Sequence, residues 1–446
     1  MSHYKPYPAY KDSGVEWLGT VPEHWKVTPL GYEIGLLTGY AFPSEKFDFD
    51  DGIPLVRGDN VTEGSLRWGD KARFWPNVTS ELERYLLKER DVLIGMDGSK
   101  VGKNYAMVAS SDLPLLLVQR VARLRANGSV SSNFIFRLIG SPLFRTWVDL
   151  VRTDPAIPHI SPKDINSFPI AVPPPAEQDT ILGHLDSEVA RIDALVEKKT
   201  RFIELLREKR QALITHAVTK GLASKVKMKY SGVEWLGEVP EHWEVKQLKH
   251  VVDPNSSITY GIVQAGPEYE GGVPYIRTSD MSGDALPISG YPLTSPEIDG
   301  SYARSRVRPG DIVMSIRASV GKCLPVPDGL SVANLTQGTA KVSPGKDITR
   351  DFLLTYLNSG AAQVYFDLMA KGATFKEITL DALRRTPVLL PPRDEQAEID
   401  QFIAQHIGRL DQLWQLSERS IGMLKERRSA LITAAVTGQI DLRETV

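Results

Sequence analysis

Two short stretches concentrate the side chains best suited to bind a partner. Gly98, Ser99, Lys100, Gly102, Lys103 and Asn104 crowd one turn, and Arg317, Ser319, Gly321 and Lys322 crowd another. Lys and Arg neutralise phosphates, Gly permits close backbone approach, and Arg pairs bidentately with guanine, so this is the chemistry of DNA contact. Arg57, next to Gly58-Asp59-Asn60, and Arg277, next to Thr278-Ser279-Asp280, offer the same groups. The candidate DNA-contacting set is therefore Arg57, Asn60, Ser99, Lys100, Lys103, Asn104, Arg277, Ser279, Arg317, Ser319 and Lys322. For each, the alternative is an ordinary solvated turn that the fold requires. Gln119 and Gln337 have the groups to read adenine, but a Gln shared by two strands more often completes internal hydrogen bonds.

Catalytic signatures are missing from the sequence. There is no Asn/Asp-Pro-Pro-aromatic motif for amino methylation, and Asp253-Pro-Asn255 lacks the second proline. Gly98-Ser-Lys-Val-Gly-Lys103 is the nearest approach to a phosphate-binding loop, but its spacing is wrong and no hydroxyl follows Lys103. The 8 histidines lie beside no second His or Cys at ligand spacing, which argues against a metal site. His24 and His242 each sit in a Pro-Glu-His-Trp step and read as packing residues at a domain edge. Trp17, Trp25, Trp235 and Trp243 have rings on which bases could stack. Buried anchoring onto a helix pair is the better expectation, because a residue that reads different sequences should not be identical in two places.

The elements that must position these residues emerge from an internal duplication. Ser13-Gly-Val-Glu-Trp-Leu-Gly19 recurs letter for letter as Ser231 to Gly237. The same offset relates Val21–Trp25 to Val239–Trp243, Glu177-Gln178 to Glu395-Gln396, and Leu213-Ile-Thr215 to Leu431-Ile-Thr433. Between these near-identical ends, residues 26–170 and 244–388 agree only in outline, for example Asp91-Val-Leu-Ile94 against Asp311-Ile-Val-Met314. Short β-rich runs punctuated by Pro, Gly, Asn and Asp make each middle a mixed α/β module with many loops. One scaffold carries two modules with different surfaces.

Each copy closes with a long helix. Pro173 to Pro175 ends the preceding strand, and Glu177 and Asp179 then suit a helix N-terminus. Heptads place Leu185, Ile192, Lys199, Leu206 and Leu213 at a, with Ile181, Glu188, Leu195, Phe202 and Lys209 at d. The second helix has Ile403, Leu410, Ser417, Leu424 and Leu431 at a, and Ile399, His406, Leu413, Ser420 and Arg427 at d. Each helix is about 40 residues, or about 60 Å at 1.5 Å per residue. Matching apolar layers and matching lapses make each the partner of the other in an antiparallel coiled coil. The polar layers Lys199/Ser417, Glu188/His406 and Lys209/Arg427 are expected to set register.

Length and composition bound the rest. A chain of 446 residues calls for two to four domains, and a net charge of −2 neither supports nor excludes nucleic acid. The single cysteine, Cys323, excludes an intramolecular disulfide, suits a reducing cytosol and reads as a small buried hydrophobe. The N-terminus has no apolar run like a signal peptide, and no apolar stretch nears the roughly 20 residues that span a bilayer. A cytoplasmic protein without membrane contact is expected.

The order of these motifs resembles the specificity subunits of type I restriction–modification systems. The resemblance rests on Gly-Val-Glu-Trp-Leu-Gly-x-Val-Pro-Glu-His-Trp before each variable block and on Pro-Pro-x-x-Glu-Gln at each helix start. It rests also on Arg191-Ile-Asp193 and Arg409-Leu-Asp411, and on Leu206-Arg-Glu-Lys-Arg210 and Leu424-Lys-Glu-Arg-Arg428. It covers the chain from about Ser13 to Leu442. It implies an α+β fold with two tandem target recognition domains joined by two long antiparallel coiled-coil helices about a pseudo-twofold axis. The implied boundaries are 1–172 for the first recognition domain, 173–222 for the central helix, 223–390 for the second domain and 391–446 for the C-terminal helix. Each domain would read one half of a bipartite, asymmetric site in double-stranded DNA. The helices would dock two methyltransferase subunits and, through them, restriction subunits. S-adenosylmethionine, ATP and Mg would belong to those partners, leaving this chain non-catalytic and without a cofactor. A related bifunctional (type IIB-like) enzyme, or an interaction scaffold that binds no DNA, are the alternatives.

Overall fold

The computed structural model describes residues 4–152, 158–372 and 376–443. The chain divides into two units, Met1–Lys199 with Arg419–Val446, and Thr200–Glu418. Each unit therefore holds one variable module and part of both long helices. The fold is α+β.

In unit 1 the relevant strands are β1 (Lys26–Pro29), β2 (Ile34–Thr38), β3 (Ile53–Val56), β4 (Val92–Gly95), β5 (Tyr105–Met107), β6 (Leu116–Leu117) and β7 (Val121–Ala126). Helices α1 (Ser132–Ile139) and α2 (Pro142–Val151), strand β8 (Pro169–Val172) and the long helix α3 (Pro175–Lys220) follow. The main sheet is antiparallel in the order β2-β7-β4-β5, with Arg123 opposite both Leu37 and Leu93. Strand β3 pairs in parallel with β6, Leu55 opposite Leu116. Strand β8 returns to pair with β1, Val172 opposite Lys26, and this delivers the chain to the start of α3. The three prolines that follow Val172 end the strand, since a ring nitrogen cannot donate to a ladder.

Unit 2 is built the same way. Its strands are β9 (Glu244–Gln247), β10 (Thr259–Tyr260), β11 (Val273–Ile276), β12 (Ile312–Ser315), β13 (Cys323–Pro325), β14 (Asn334–Leu335) and β15 (Thr339–Val342). They are followed by α4 (Arg350–Leu357), α5 (Gly360–Met369), β16 (Pro387–Leu390) and the long helix α6 (Arg393–Val436). The main sheet has the order β10-β15-β12-β13, β11 pairs in parallel with β14, and β9 pairs with β16. Cys323 is buried as expected, and burial pushes its thiol well above the ordinary range.

Both helix starts are tied to their modules by the same hydrogen bonds. The Gln178 amide accepts from Ser131 N–H at 2.9 Å and donates to the carbonyls of Ser129 and Pro173 at 2.6 and 3.0 Å. In unit 2, Gln396 does the same with Thr349 N–H at 2.8 Å and the carbonyls of Asp347 and Pro391 at 2.9 and 2.8 Å. Trp25 and Trp243 are completely buried, and their indole N–H groups each donate at 3.0 Å to a carboxylate in the first turn of a long helix, Glu177 and Glu395. His24 and His242 contact the same two carboxylates at 2.8 Å. Both imidazoles are exposed, so rather than packing they hydrogen-bond the helix-start carboxylates at the edge of each module. Trp17 and Trp235 depart from the expectation: they pack on their modules, against Phe168 and Tyr365, at ring distances of 5.7 Å.

The long helices run to 46 and 44 residues. In unit 2 they pair antiparallel, with Arg210 3.6 Å from Asp411 and Arg207 4.4 Å above the Trp414 ring. The seam differs from the a/d expectation. The d residues Leu195, Phe202 and Leu413 are 40%, 42% and 44% exposed, whereas Val189 and Ile203 at e are 4% and 8% exposed. Apolar residues stand side by side at d and e (Leu195-Val196, Phe202-Ile203), so a heptad repeat cannot choose between the two stripes. The polar layers also differ. Ser417 bonds Leu413 C=O and His406 bonds Phe402 C=O, both at 2.8 Å within their own helix, while Lys209 and Arg427 are exposed.

Candidate nucleic-acid interface

In unit 1 the turn after β3, the turn between β4 and β5, and the tip between β6 and β7 meet around a cleft of about 650 Å³. It gathers Arg57, Ser99, Lys100, Asn104 and Gln119, which lie far apart in the chain, and adds Arg67 and Arg120. Ser99, Lys100 and Gln119 are exposed. Lys103 is exposed but does not line the cleft. Asn60 is a correction. It is completely buried, accepts from Arg57 N–H at 3.1 Å and donates to Arg67 C=O at 3.0 Å, so its amide is spent on holding the turn.

Arg120 is the residue that spacing did not reveal. Its φ of +68° is a left-handed conformation that costs a side-chain-bearing residue energy. That conformation turns the β6–β7 tip and leaves the guanidinium 69% exposed, 2.8 Å from Asp97. Asp97 also binds the His159 ring through Nδ1. The carboxylate thus orients a cation toward the cleft from one side and is held by an imidazole on the other. Arg57 donates to Lys71 C=O at 3.0 Å, but its Nε is buried with no hydrogen-bond partner.

Unit 2 brings its own turns together around Gly338. A Cβ there would clash with Thr278 Oγ1 and touch Arg317 Cβ at 3.9 Å, so glycine suits the close approach of the Arg277 and Arg317 turns beside Gln337. Ser279 and Ser319 are exposed. Lys322 Nζ donates to Ser282 C=O at 3.1 Å, bridging the two turns. Arg277 is engaged with Asp280 at 2.9 Å, whose hydrogen bonds hold the guanidinium above its ordinary pKa. Arg317 faces Glu377 at 3.1 Å, with both side chains half exposed. Surface pairs of this kind contribute about 0–1 kcal/mol, so a phosphate can displace the carboxylate at small cost. Among the described residues no group of three or more His, Cys, Asp or Glu is placed to hold a metal.

Comparison with known proteins gives one consistent likeness. Residues 240–418 match the family described as the type I restriction modification DNA specificity domain. The specificity subunit of type I restriction enzyme EcoBI from Escherichia coli is 24% identical over 436 residues, covering 96% of this chain and 89% of that one. The chain is HsdS-like, similar to type I specificity subunits along nearly its whole length. The EcoAI specificity subunit, also of Escherichia coli, is 34% identical over 195 residues, 43% of this chain and 32% of that one. Solved HsdS-type structures share the fold. The HsdS subunit from Thermoanaerobacter tengcongensis aligns with a TM-score of 0.53 at 20% identity over 94% of this chain and 98% of its own. A chain from a study of complex assembly and conformational transition in the type I R-M system aligns with a TM-score of 0.67 at 21% identity, covering 94% and 99%. An HsdS-like chain is a recognition subunit rather than an enzyme. Among the described residues no helix is long and apolar enough to cross a membrane.

Proposed function

We propose that the two modules are tandem target recognition domains, each reading one half of a bipartite, asymmetric site in double-stranded DNA. The observation that carries this reading is the convergence of three diverged turns at one end of the main sheet in unit 1. Basic, amide and hydroxyl groups line a single cleft there. Unit 2 gathers different side chains from the corresponding turns, which is what two readers of different sequences require. Arg57, Lys100, Asn104, Gln119 and Arg120 are assigned to DNA in the first domain, and Arg277, Ser279, Arg317, Ser319 and Lys322 in the second.

The repeated ends are the scaffold, a duplication whose long helices pair as an antiparallel coiled coil. Leu195, Phe202, Leu205, Leu413, Leu416 and Met423 stay exposed along them. Apolar residues left open on helices suit docking of two methyltransferase subunits, with restriction subunits held through those. This chain then works in the cytoplasm with no cofactor of its own, while its partners use S-adenosylmethionine, ATP and Mg.

A gel-shift titration of duplex DNA carrying the site, with methyltransferase subunits present, tests the DNA reading. Counterion release predicts that log K falls linearly with log salt. A salt-independent interaction, or none, would instead support an interaction scaffold.

A further inference from the structure

A second cleft in unit 1, about 660 Å³, lies where α1 and α2 of the module face the long helices. Its floor is aromatic, with Tyr105 and Phe136 rings 5.3 Å apart. Tyr105 is only 9% exposed, yet its hydroxyl opens on the cleft and has no hydrogen-bond partner among the described residues. That hydroxyl is closely framed by Gly140, where a Cβ would stand 2.5 Å from it. Burial and then the neighbouring Glu63 push its pKa up, so it remains a proton donor.

Cations surround this donor. Arg137, Arg145, Lys425 and Arg428 line the cleft against Glu63 and Asp193. Arg145 pairs with Glu63, Arg137 with Asp186 at 2.5 Å, and Arg428 with Asp193 at 2.9 Å. Lys425 has no ion pair among the described residues, and Arg428 Nε faces its carboxylate without a well-aligned hydrogen bond. An unpartnered phenol hydroxyl opening on the cleft, an ammonium without an ion pair and three guanidiniums above an aromatic floor complement an anion carried on a ring. The cleft also has the volume usual for small-molecule sites.

We propose that this cleft binds a small phosphate-bearing molecule of nucleotide size, between the first recognition domain and the helices. Unit 2 carries a larger side chain at the corresponding place. In the internal repeat Val196 corresponds to Trp414 and Lys425 to Arg207, and Arg207 lies 4.4 Å above the Trp414 ring.

Calorimetric titration of the full chain at low salt with inorganic phosphate, pyrophosphate and adenosine 5′-monophosphate tests this. One equivalent of pyrophosphate or the nucleotide should bind, and the three probes separate a bare phosphate site from one that also takes the ring. Val196→Trp, which introduces the residue unit 2 already accommodates, should lower affinity at least about tenfold, because the ring fills the space. Tyr105→Phe should lower it by about three- to tenfold through loss of one hydrogen bond. If circular dichroism shows Val196→Trp unfolded, the Tyr105→Phe result decides. No binding by any probe, or unchanged binding in the folded variants, overturns the proposal.

Discussion

Asp193 and Arg428 stand 2.9 Å apart, joining the two long helices within unit 1. Each has a counterpart in the other copy of the repeat, and those counterparts, Asp411 and Arg210, form the ion pair of unit 2 at 3.6 Å. One Asp–Arg pairing therefore recurs with its donors exchanged between helices. Both pairs are partly exposed, so a double-mutant cycle on Asp193→Ala and Arg428→Ala should give a coupling of about 0.2–1 kcal/mol in urea unfolding. The reversed pair, Asp193→Arg with Arg428→Asp, should recover most of the loss.

Glu177 offers a stronger test of the scaffold. Burial alone pushes its carboxyl up. Hydrogen bonds from Tyr7, His24 and Trp25, at 2.7, 2.8 and 3.0 Å, more than offset this and leave it below the ordinary glutamate range. A carboxyl lowered by folding stabilises the fold above its unfolded value, near 4.3, and that contribution is lost as pH falls toward the folded value. Glu177→Gln should cost about 2 kcal/mol at pH 7. The gap from the parent should narrow below about pH 4 when thermal unfolding is followed across pH.

Asp400 behaves in the opposite sense. Burial, then the charge of Asp351, push its carboxyl up to about 6. Between its unfolded value near 3.9 and that folded value, the unfolded chain has released a proton the fold still holds. Stability therefore falls as pH rises through this window. Asp400→Asn should stabilise the protein by about 1 kcal/mol at pH 7.5, after allowance for partial solvent exposure, and should change nothing near pH 4. Equal effects at both pH values would assign the change to packing instead.

On the DNA face, Arg120 and Asn60 should separate contact from support. Arg120→Ala should weaken DNA binding by about 1–3 kcal/mol if it reads a base, or reduce the salt slope by about 1 if it holds a phosphate. The unfolding midpoint should hardly move in either case, because the exposed guanidinium's pair with Asp97 contributes only about 0–1 kcal/mol. Asn60→Ala should lower stability by about 1–3 kcal/mol, since it leaves Arg57 N–H and Arg67 C=O without their partner. Gel shift and urea unfolding on both variants report the split.

These contrasts show how far the sequence could be read. The scaffold was legible because the duplication repeats contacts, not only letters: Trp25 with Glu177 and Trp243 with Glu395 are the same bond. The helix seam was not, because adjacent apolar residues such as Phe202 and Ile203 satisfy two stripes equally. Residue type also misled at Asn60, where an amide in a turn serves the turn itself. Arg120 escaped because nothing in its neighbours announces a left-handed backbone, and only the tertiary approach of Asp97 gives its guanidinium a direction.

Two modules with separate cores should read their half-sites independently. Packing that supports each cleft lies within its own unit, so changes to one should not propagate to the other. The most direct measurement is methylome sequencing of a host carrying a chimera in which residues 244–388 are replaced by the matching block of a relative. One half of the methylated sequence should change, while the half read by residues 26–170 and the gap between halves stay as they were. A change in both halves, or a shifted gap with the helices untouched, would contradict it.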